Sequence, residues 1–319
     1  MNYRNTEMIG KSLEGQGRAR KLTAKHRDWF DAYLFLAPTL LIFLVFVFGP
    51  LVSSLVISFY KWNLLSFSQR TFVGFRHFAS LFAGHSSARF YLIYGNTLLF
   101  VAAEIILFLL VGLLCAMLLN YQFKRPMQYV LRVGYFLPLV TSTAIVAGIW
   151  AFLLNTNLGI VNYYLGVIGI QPVPWLNNPY WAKASVIIFD VWKNFGFYTL
   201  VFLAGLQNIP GYLYEAAEID GASSFYKLRR ITLPMLSPTT FFLLVIGFIN
   251  SVQLFDSPYV LTDGTPGDST RTVVMLIYQD AFQNFDLGKA SAVAMTLFAV
   301  ILLGSIGQFI GQRRWVYYG

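Results

Sequence analysis

The polar interval that decides the fold lies between two long apolar segments and reads EAAEIDGASSFYKLRRITLP over residues 215–234. Its pattern predicts two short helices, at about 211–219 and 222–231. They are joined by Asp220 and Gly221, a pair that favours a turn because glycine adopts the positive φ that other residues avoid. We therefore expect a helical elbow at this point of the chain.

The elbow, residues 211–234, carries signals for both ends of its second helix. Ser223 or Ser224 can cap the first turn, and Pro234 should end the helix. Three apolar residues recur at three-residue spacing and give this helix one apolar side: Phe225, Leu228 and Ile231. An elbow with one apolar side needs a surface to insert into, and we predict that this surface belongs to a separate protein.

The composition indicates a chain whose solvent is mostly lipid. Only 12% of the 319 residues are charged, about half the share found in soluble proteins. In a soluble protein the net charge of +9 would suggest a nucleic-acid partner. Here it is explained by the basic residues in the connections on one side of the membrane, as described below. The single cysteine, Cys115, lies in an apolar segment and excludes an intramolecular disulfide.

Six segments are apolar enough to cross a bilayer, which takes about 20 residues each. Their approximate bounds are 32–60, 91–119, 128–154, 180–206, 239–262 and 290–312. The connections between them are too short for a separate external domain. The sequence therefore predicts an all-α polytopic membrane protein with six transmembrane helices and the elbow between helices 4 and 5.

The orientation follows from the lysines and arginines of the connections. With the amino terminus in the cytoplasm, fourteen basic residues fall on the cytoplasmic side and six on the other. We therefore expect both termini and the elbow to be cytoplasmic. The predicted organisation is a basic cytoplasmic tail over 1–30, the first transmembrane helix with an external loop over 31–90, and a transmembrane core over 91–313.

Charged side chains at membrane depth are costly and indicate function. Asp190 and Lys193 are three residues apart on the fourth span and share a face. Two interpretations remain open and are compatible: the two charges neutralise one another, or Lys193 faces an aqueous pathway and meets an anionic substrate. Glu104, on the second span, is expected to be a buried carboxyl group bonded to a neighbouring helix, with a substrate role as the alternative.

A polar cluster interrupts the fifth span and must face protein or water rather than lipid. It consists of Asn250, Ser251, Gln253 and Asp256. Pro258 follows the cluster and is expected to loosen the helix just beyond Asp256, as a gate or as a harmless kink.

Motifs for catalysis are missing from the sequence. No GxxxxGK[ST] phosphate loop occurs, so the chain is not expected to bind ATP itself. The histidines are His26, His77 and His85, and they lack the spacing of metal ligands. We expect no catalytic residue and no metal site, and the chain is not an enzyme by itself.

The elbow resembles the EAA loop of the permeases of binding-protein-dependent ABC importers. Glu215, Ala216, Ala217 and Gly221 match the EAA-x3-G pattern, and ITLP ends it over residues 231–234. Further runs resemble carbohydrate permeases of the maltose and glycerol-phosphate type: LAPTLLIF at 36–43, FVGFRHF at 72–78, DVWKNFGFYTLVFLAGLQNIP at 190–210 and YVLTDGTP at 259–266. The resemblance covers residues 32–315 and implies the type I ABC importer permease fold.

The resemblance also implies partners and a location. Such a permease spans the bacterial cytoplasmic (inner) membrane, with the lipid bilayer around it. It works with a second related permease, two ATPase subunits, an external solute-binding protein and a sugar-type substrate, and with no nucleic acid. The chain itself holds no cofactor, because ATP and magnesium are bound by the ATPase subunits.

Two groups of site residues follow from the resemblance. The elbow is implied to be the coupling helix that docks on the ATPase, through Glu215, Ala216, Ala217, Glu218, Asp220, Gly221 and Ala222. The substrate pathway is implied for the fourth and fifth spans, and with the polar residues above it comprises Asp190, Lys193, Asn194, Phe197, Gly247, Asn250, Ser251, Gln253, Leu254 and Asp256. A lysine in a sugar cavity adds an acidic saccharide or a sugar phosphate to the neutral sugars as candidate substrates.

A different class of transporter is the alternative. An ion-gradient-driven secondary transporter would use Asp190, Lys193 and Asp256 as a relay. A requirement of uptake for ATP hydrolysis or for a proton gradient separates the two. A membrane scaffold or sensor is less well supported, because the sequence has no soluble output domain.

Overall fold

The computed structural model describes residues 32–65, 70–84, 87–120 and 125–317 together with Trp29, and gives the backbone alone over 125–129 and 131–132. Apart from Trp29, the predicted basic tail over 1–30 lies outside the described residues, as does His85. The chain divides into two units, one ending at Val56 and one beginning at Ile57.

The described part of the chain is built almost entirely of helices. The first unit contributes α1, Ala32–Ile57, which includes a π-helical turn at Leu44–Phe48. The second unit begins with a small antiparallel sheet of β1, Tyr60–Trp62, and β2, Arg70–Phe72. Its helices are α2 Arg76–Ala83, α3 Ser87–Asn120, α4 Arg125–Val140, α5 Thr143–Leu153, α6 Ile160–Val167, α7 Pro179–Gln207, α8 Gly211–Ile219, α9 Ser224–Met235, α10 Ser237–Val252, α11 Asp256–Thr262, α12 Val273–Tyr278 and α13 Leu287–Gly311.

Six membrane spans are obtained when bent helix pairs are counted as single spans. Four helices are long and apolar enough to cross a membrane alone: α1, α3, α7 and α13. Two further spans are bent pairs, α4 with α5 at 101° and α9 with α10 at 62°. The predicted polytopic all-α class is confirmed, while two of the six spans are not single helices.

The third span differs from the single helix predicted over 128–154. Helix α4 ends at Val140, and Ser142 is extended, with ψ 126°, before α5 begins. Pro138 lies within the last turn of α4 and cannot donate a backbone hydrogen bond, which weakens the helix there. The break therefore follows the proline by three residues.

The fifth span predicted from the sequence, residues 239–262, breaks earlier than the sequence indicates. Helix α10 ends at Val252, and α11 starts anew at Asp256. The predicted loosening beyond Asp256 is wrong, because Pro258 lies in the first turn of α11, where a proline is tolerated. The interruption instead falls at residues 253–255.

Close contact between helices depends on small residues. A Cβ atom at Gly112 of α3 would lie 2.5 Å from Cβ of Tyr198 on α7. One at Gly196 of α7 would lie 2.0 Å from the carbonyl oxygen of Tyr135 on α4. Small residues allow membrane helices to approach closely. These two glycines hold α3, α7 and α4 together around the polar region described below.

The segment that follows α11 is tied to the start of α3. Arg89 Nε donates to Oδ2 of Asp268 at 2.6 Å, and Arg271 forms a second ion pair with the same carboxylate. Asn96 Nδ2 donates to the carbonyl oxygen of Asp268 at 2.7 Å. Partial burial alone would raise the pKa of Asp268, but the hydrogen bonds from Arg89 and Arg271 outweigh it and hold that pKa below its usual range.

The carboxyl-terminal segment contacts the first turn of α10. The backbone nitrogen of Tyr317 donates to Oγ of Ser237 at 2.8 Å. Trp315 packs edge-on against Phe241, with ring centroids 6.1 Å apart. The residues after α13 are thereby fixed close to the point where the elbow ends.

Candidate functional site

Two adjoining cavities lie among α3, α7, α10 and the break before α11. The larger measures about 240 Å³ and the smaller about 170 Å³. Four residues line both: Asp190, Asn194, Asn250 and Leu254. The fourth and fifth predicted spans therefore both contribute polar side chains to this pair of cavities.

Nine of the ten predicted pathway residues line one or both cavities. They are Asp190, Lys193, Asn194, Phe197, Asn250, Ser251, Gln253, Leu254 and Asp256. Gly247 instead packs against Tyr198, whose hydroxyl would lie 2.8 Å from a Cβ added at that glycine. The structure brings the set together, and a role of these residues in contacting substrate stays a prediction.

Lys193 is held by backbone carbonyls. Its Nζ donates to the carbonyl oxygens of Pro138 at 3.0 Å and Thr141 at 2.8 Å. Both carbonyls belong to the end of α4, where a helix leaves its last four carbonyls without helical donors. Lys193 and Asp190 both have described side chains and do not form an ion pair. The two side chains are therefore not in direct contact, but their charges still attract one another, so both predicted interpretations stay open.

Asp190 connects α7 to α11. Its Oδ2 accepts a hydrogen bond from Oγ of Ser257 at 2.6 Å, and both residues are buried. Asn194 donates to the carbonyl oxygen of Asp190 at 3.0 Å, one turn away. A carboxyl group thus fixes the first turn of α11 to the cavity wall.

Glu104 connects α3 to α10, as Asp190 connects α7 to α11. Its Oε2 accepts from Oγ of Ser251 at 2.6 Å, as expected of a buried carboxyl group bonded to a neighbouring helix. The sequence left a substrate role for Glu104 as an alternative, and the structure places this residue in the lining of the larger cavity. The charge of Glu104 within an apolar span is visible in the sequence. Its contact with Ser251 depends on how α3 packs against α10, which the sequence does not reveal.

The elbow is formed largely as predicted. Helix α8 has the predicted bounds, Gly221 has φ +74°, and Oγ of Ser223 accepts from the backbone nitrogen of Tyr226 at 3.3 Å as the cap of α9. Pro234 does not end α9, which reaches Met235 through a π-helical turn at Leu228–Thr232. The predicted end of this helix is therefore wrong by several residues, because the wider turn accommodates the proline.

Two contacts connect the two helices of the elbow, α8 and α9. Lys227 Nζ donates to Oε1 of Glu218 at 2.7 Å across the turn, and this hydrogen bond lowers the pKa of the exposed Glu218 carboxyl. The hydroxyls of Tyr214 and Thr232 are 2.9 Å apart. The ion pair is exposed and screened, so we assign it a role in geometry rather than in stability.

The apolar side chains of the elbow are partly exposed and partly packed against the rest of the chain. Of the predicted stripe, Phe225 is exposed, while Leu228 and Ile231 are half-buried, with Ile231 packed against the core. The exposed apolar residues of the elbow include Ile219, which is 87% exposed, and Tyr226. Of the predicted coupling residues, Glu215, Ala216, Glu218, Asp220 and Gly221 are exposed, and Ala217 and Ala222 are half-buried. Their coupling role stays a prediction.

Metal ligation finds no support within the described ranges. No group of three His, Cys, Asp or Glu side chains in them could hold a metal ion. The polar groups around the cavities are carboxyls, amides, hydroxyls and the ammonium of Lys193, and aromatic rings of Phe108, Phe197 and Tyr198 line the larger cavity as well.

A bundle of membrane-spanning helices with cavities that buried polar side chains line, and with an exposed elbow, is typical of membrane transport subunits. Residues 108–315 match the family described as the binding-protein-dependent transport system inner membrane component. The chain belongs to this family. It is the multi-pass inner-membrane permease subunit of a carbohydrate ABC importer, and ATP hydrolysis lies with separate ATPase subunits.

Curated relatives cover most of the chain. It is 34% identical over 278 residues to the sulfoquinovosyl glycerol transport system permease protein of Agrobacterium fabrum, covering 85% of this chain and 89% of that one. It is 35% identical over 278 residues to the trehalose/maltose transport system permease protein of Thermococcus litoralis, covering 87% and 92%.

A solved structure has the same fold. It is the bacterial alginate ABC transporter in complex with an alginate pentasaccharide-bound periplasmic protein. One of its chains aligns with a TM-score of 0.78 and 28% identity, over 92% of this chain and 97% of that one. The type I importer permease fold is thereby confirmed.

Proposed function

We propose that this permease forms one wall of a translocation pathway for an oligosaccharide that a solute-binding protein delivers. The observation that carries the proposal is the convergence of nine predicted pathway residues on the two adjoining cavities. Relatives named for sulfoquinovosyl glycerol, trehalose/maltose and alginate support a saccharide as the substrate. A second permease would supply the opposite wall.

The lining of the larger cavity fits a saccharide. Ring faces pack against aromatic side chains, and hydroxyl groups need several well-placed hydrogen-bonding partners. Phe108 and Tyr198 are stacked with centroids 4.7 Å apart, and Asn194 and Asn250 face the same space. Two of the three N–H donors of Lys193 are bonded to backbone carbonyls, so we assign its ammonium first to holding the end of α4 and only second to an anionic sugar.

The elbow would couple this pathway to ATP hydrolysis from the cytoplasmic side. The excess of basic residues on one side favours an orientation with both termini and the elbow inside. Lys227, Arg229 and Arg230 would hold the elbow near the anionic inner surface. Closure of an ATPase dimer would then move the docked elbow and switch the bundle between two states. ATP and magnesium would bind only to the ATPase subunits.

Reconstitution tests this proposal. The chain is assembled in proteoliposomes with its second permease, ATPase subunits and binding protein. Uptake is measured for labelled maltotriose, an alginate trisaccharide and sulfoquinovosyl glycerol. We expect at least one of the three to enter only when ATP is hydrolysed. Uptake driven by a proton gradient without ATP would support the secondary-transporter alternative, and no uptake of any of the three would refute the proposed substrate class.

A further inference from the structure

Glu104 of α3 lines the larger cavity, and one of its two carboxyl oxygens has no hydrogen-bond partner in the described part of the chain. The residue is 1% exposed and lines the cavity of about 240 Å³. Oε2 accepts from Oγ of Ser251 at 2.6 Å, whereas Oε1 is buried and has no hydrogen-bond partner within the described part of the chain. Two oxygens of one group thus have different environments.

The bond to Ser251 fixes the orientation of this carboxyl group. Both residues are buried, so the hydrogen bond is shielded from water and holds the side chain in one rotamer. A buried acceptor without a donor costs free energy, and a donor that enters the cavity would recover it. Saccharide hydroxyls are such donors, and the cavity that Glu104 lines also presents the amides of Asn194 and Asn250.

We propose that Glu104 is a substrate-binding residue of the translocation pathway, whose Oε1 accepts a hydrogen bond from a saccharide hydroxyl during passage. This inference rests on the proposed function and adds a contact from α3 to the predicted contacts of α7 and α10. Ser251 is then a positioning residue: it does not have to touch the sugar, because its hydroxyl holds the carboxyl group that does.

Asp280 provides a matched comparison within the same chain. It is also buried, at 2% exposed, and has one bonded and one unpartnered oxygen. Its Oδ1 accepts from Nδ2 of Asn284 at 3.0 Å and from Nζ of Lys289, on α13, at 3.3 Å. Asp280 does not line either cavity. Loss of its charge therefore tests what a buried carboxyl contributes to stability alone.

The experiment compares Glu104→Gln, Glu104→Leu and Asp280→Asn in the complete transporter in proteoliposomes. In Glu104→Gln, Ser251 retains an acceptor oxygen, so the amide nitrogen faces the cavity and the acceptor there is lost. The readout is the number of saccharide molecules transported per ATP hydrolysed, with whichever of the three labelled probes the wild-type complex takes up.

We expect both Glu104 variants to lower this ratio by roughly fivefold, as loss of one hydrogen bond predicts, while binding-protein-stimulated ATP hydrolysis persists. Asp280→Asn should keep the wild-type ratio even if its thermal stability falls. If Glu104→Leu fails to assemble, Glu104→Gln decides alone. A wild-type ratio in Glu104→Gln overturns the inference while leaving the proposed function intact, and absence of wild-type uptake defeats the proposed function and the inference together.

Discussion

At the scale of the residue, Lys193 illustrates what a sequence can and cannot reveal. A lysine inside an apolar span is conspicuous, and it does line a cavity. Its partners are not readable, because the carbonyls of Pro138 and Thr141 lie 55 and 52 residues earlier and become available only where α4 breaks. Glu104 and Ser251 were each visible as polar residues, but 147 residues separate them.

Lys193 supplies a prediction of its own. Replacing it with methionine removes the donor for two carbonyls at the end of α4, and buried carbonyls without donors are costly. We expect Lys193→Met to lower the apparent Tm in detergent by about 4–8 °C, and to reduce uptake of neutral and acidic trisaccharides equally. The matched control is Lys183→Met on the same helix, a half-buried lysine to which the structure gives no hydrogen-bond partner. A loss confined to the acidic probe would instead show that Lys193 binds an anionic substrate.

At the scale of the element, local chemistry predicts ends and turns, and tertiary packing decides the rest. The bounds of α8, the turn at Gly221 and the cap at Ser223 follow from residues within one turn of each other. The end of α9 does not, since a π-helical turn carries it past Pro234. Hydropathy also does not locate the breaks before α5 and α11, because residues 141–142 and 253–255 lie within long apolar segments and their backbone is held by distant side chains, those of Lys193 and Thr272.

Gly221 gives the prediction at this scale. Its φ of +74° is strained for any L-residue with a side chain. We expect Gly221→Ala to distort the turn between α8 and α9 and to lower ATP-dependent uptake by about tenfold or more, with normal insertion in the membrane. Gly211→Ala is the control, because Gly211 has no positive φ and a Cβ there would meet no atom within 4 Å. Equal uptake by the two variants would contradict a coupling role for the turn.

At the scale of the whole molecule, composition and charge predict more than local pattern does. Six apolar segments and the distribution of basic residues were sufficient for the polytopic class, and the family comparison agrees with it. The small sheet of β1 and β2 and the helices α2 and α6 were not predicted. These short elements lie in connections whose polar and aromatic composition is compatible with many conformations.

The orientation is tested by labelling. In a Cys115→Ser background, single cysteines replace Ser224 of the elbow and Asn157 between α5 and α6, both exposed positions. We expect a membrane-impermeant maleimide to modify Ser224→Cys only in inverted vesicles and Asn157→Cys only in right-side-out vesicles. The reverse pattern would place the elbow outside and exclude its docking on a cytoplasmic ATPase.

The hydrogen bond between Tyr317 and Ser237 matters for anyone who purifies this protein. It fastens the last described residues to the first turn of α10, three residues beyond the elbow. An affinity tag or fluorescent fusion attached directly after the last residue would strain this hydrogen bond and the start of α10. The resulting loss of uptake would resemble a coupling defect. A long glycine-serine spacer is flexible and would remove this strain. Tagged and untagged preparations should therefore be compared before the uptake of any elbow variant is measured.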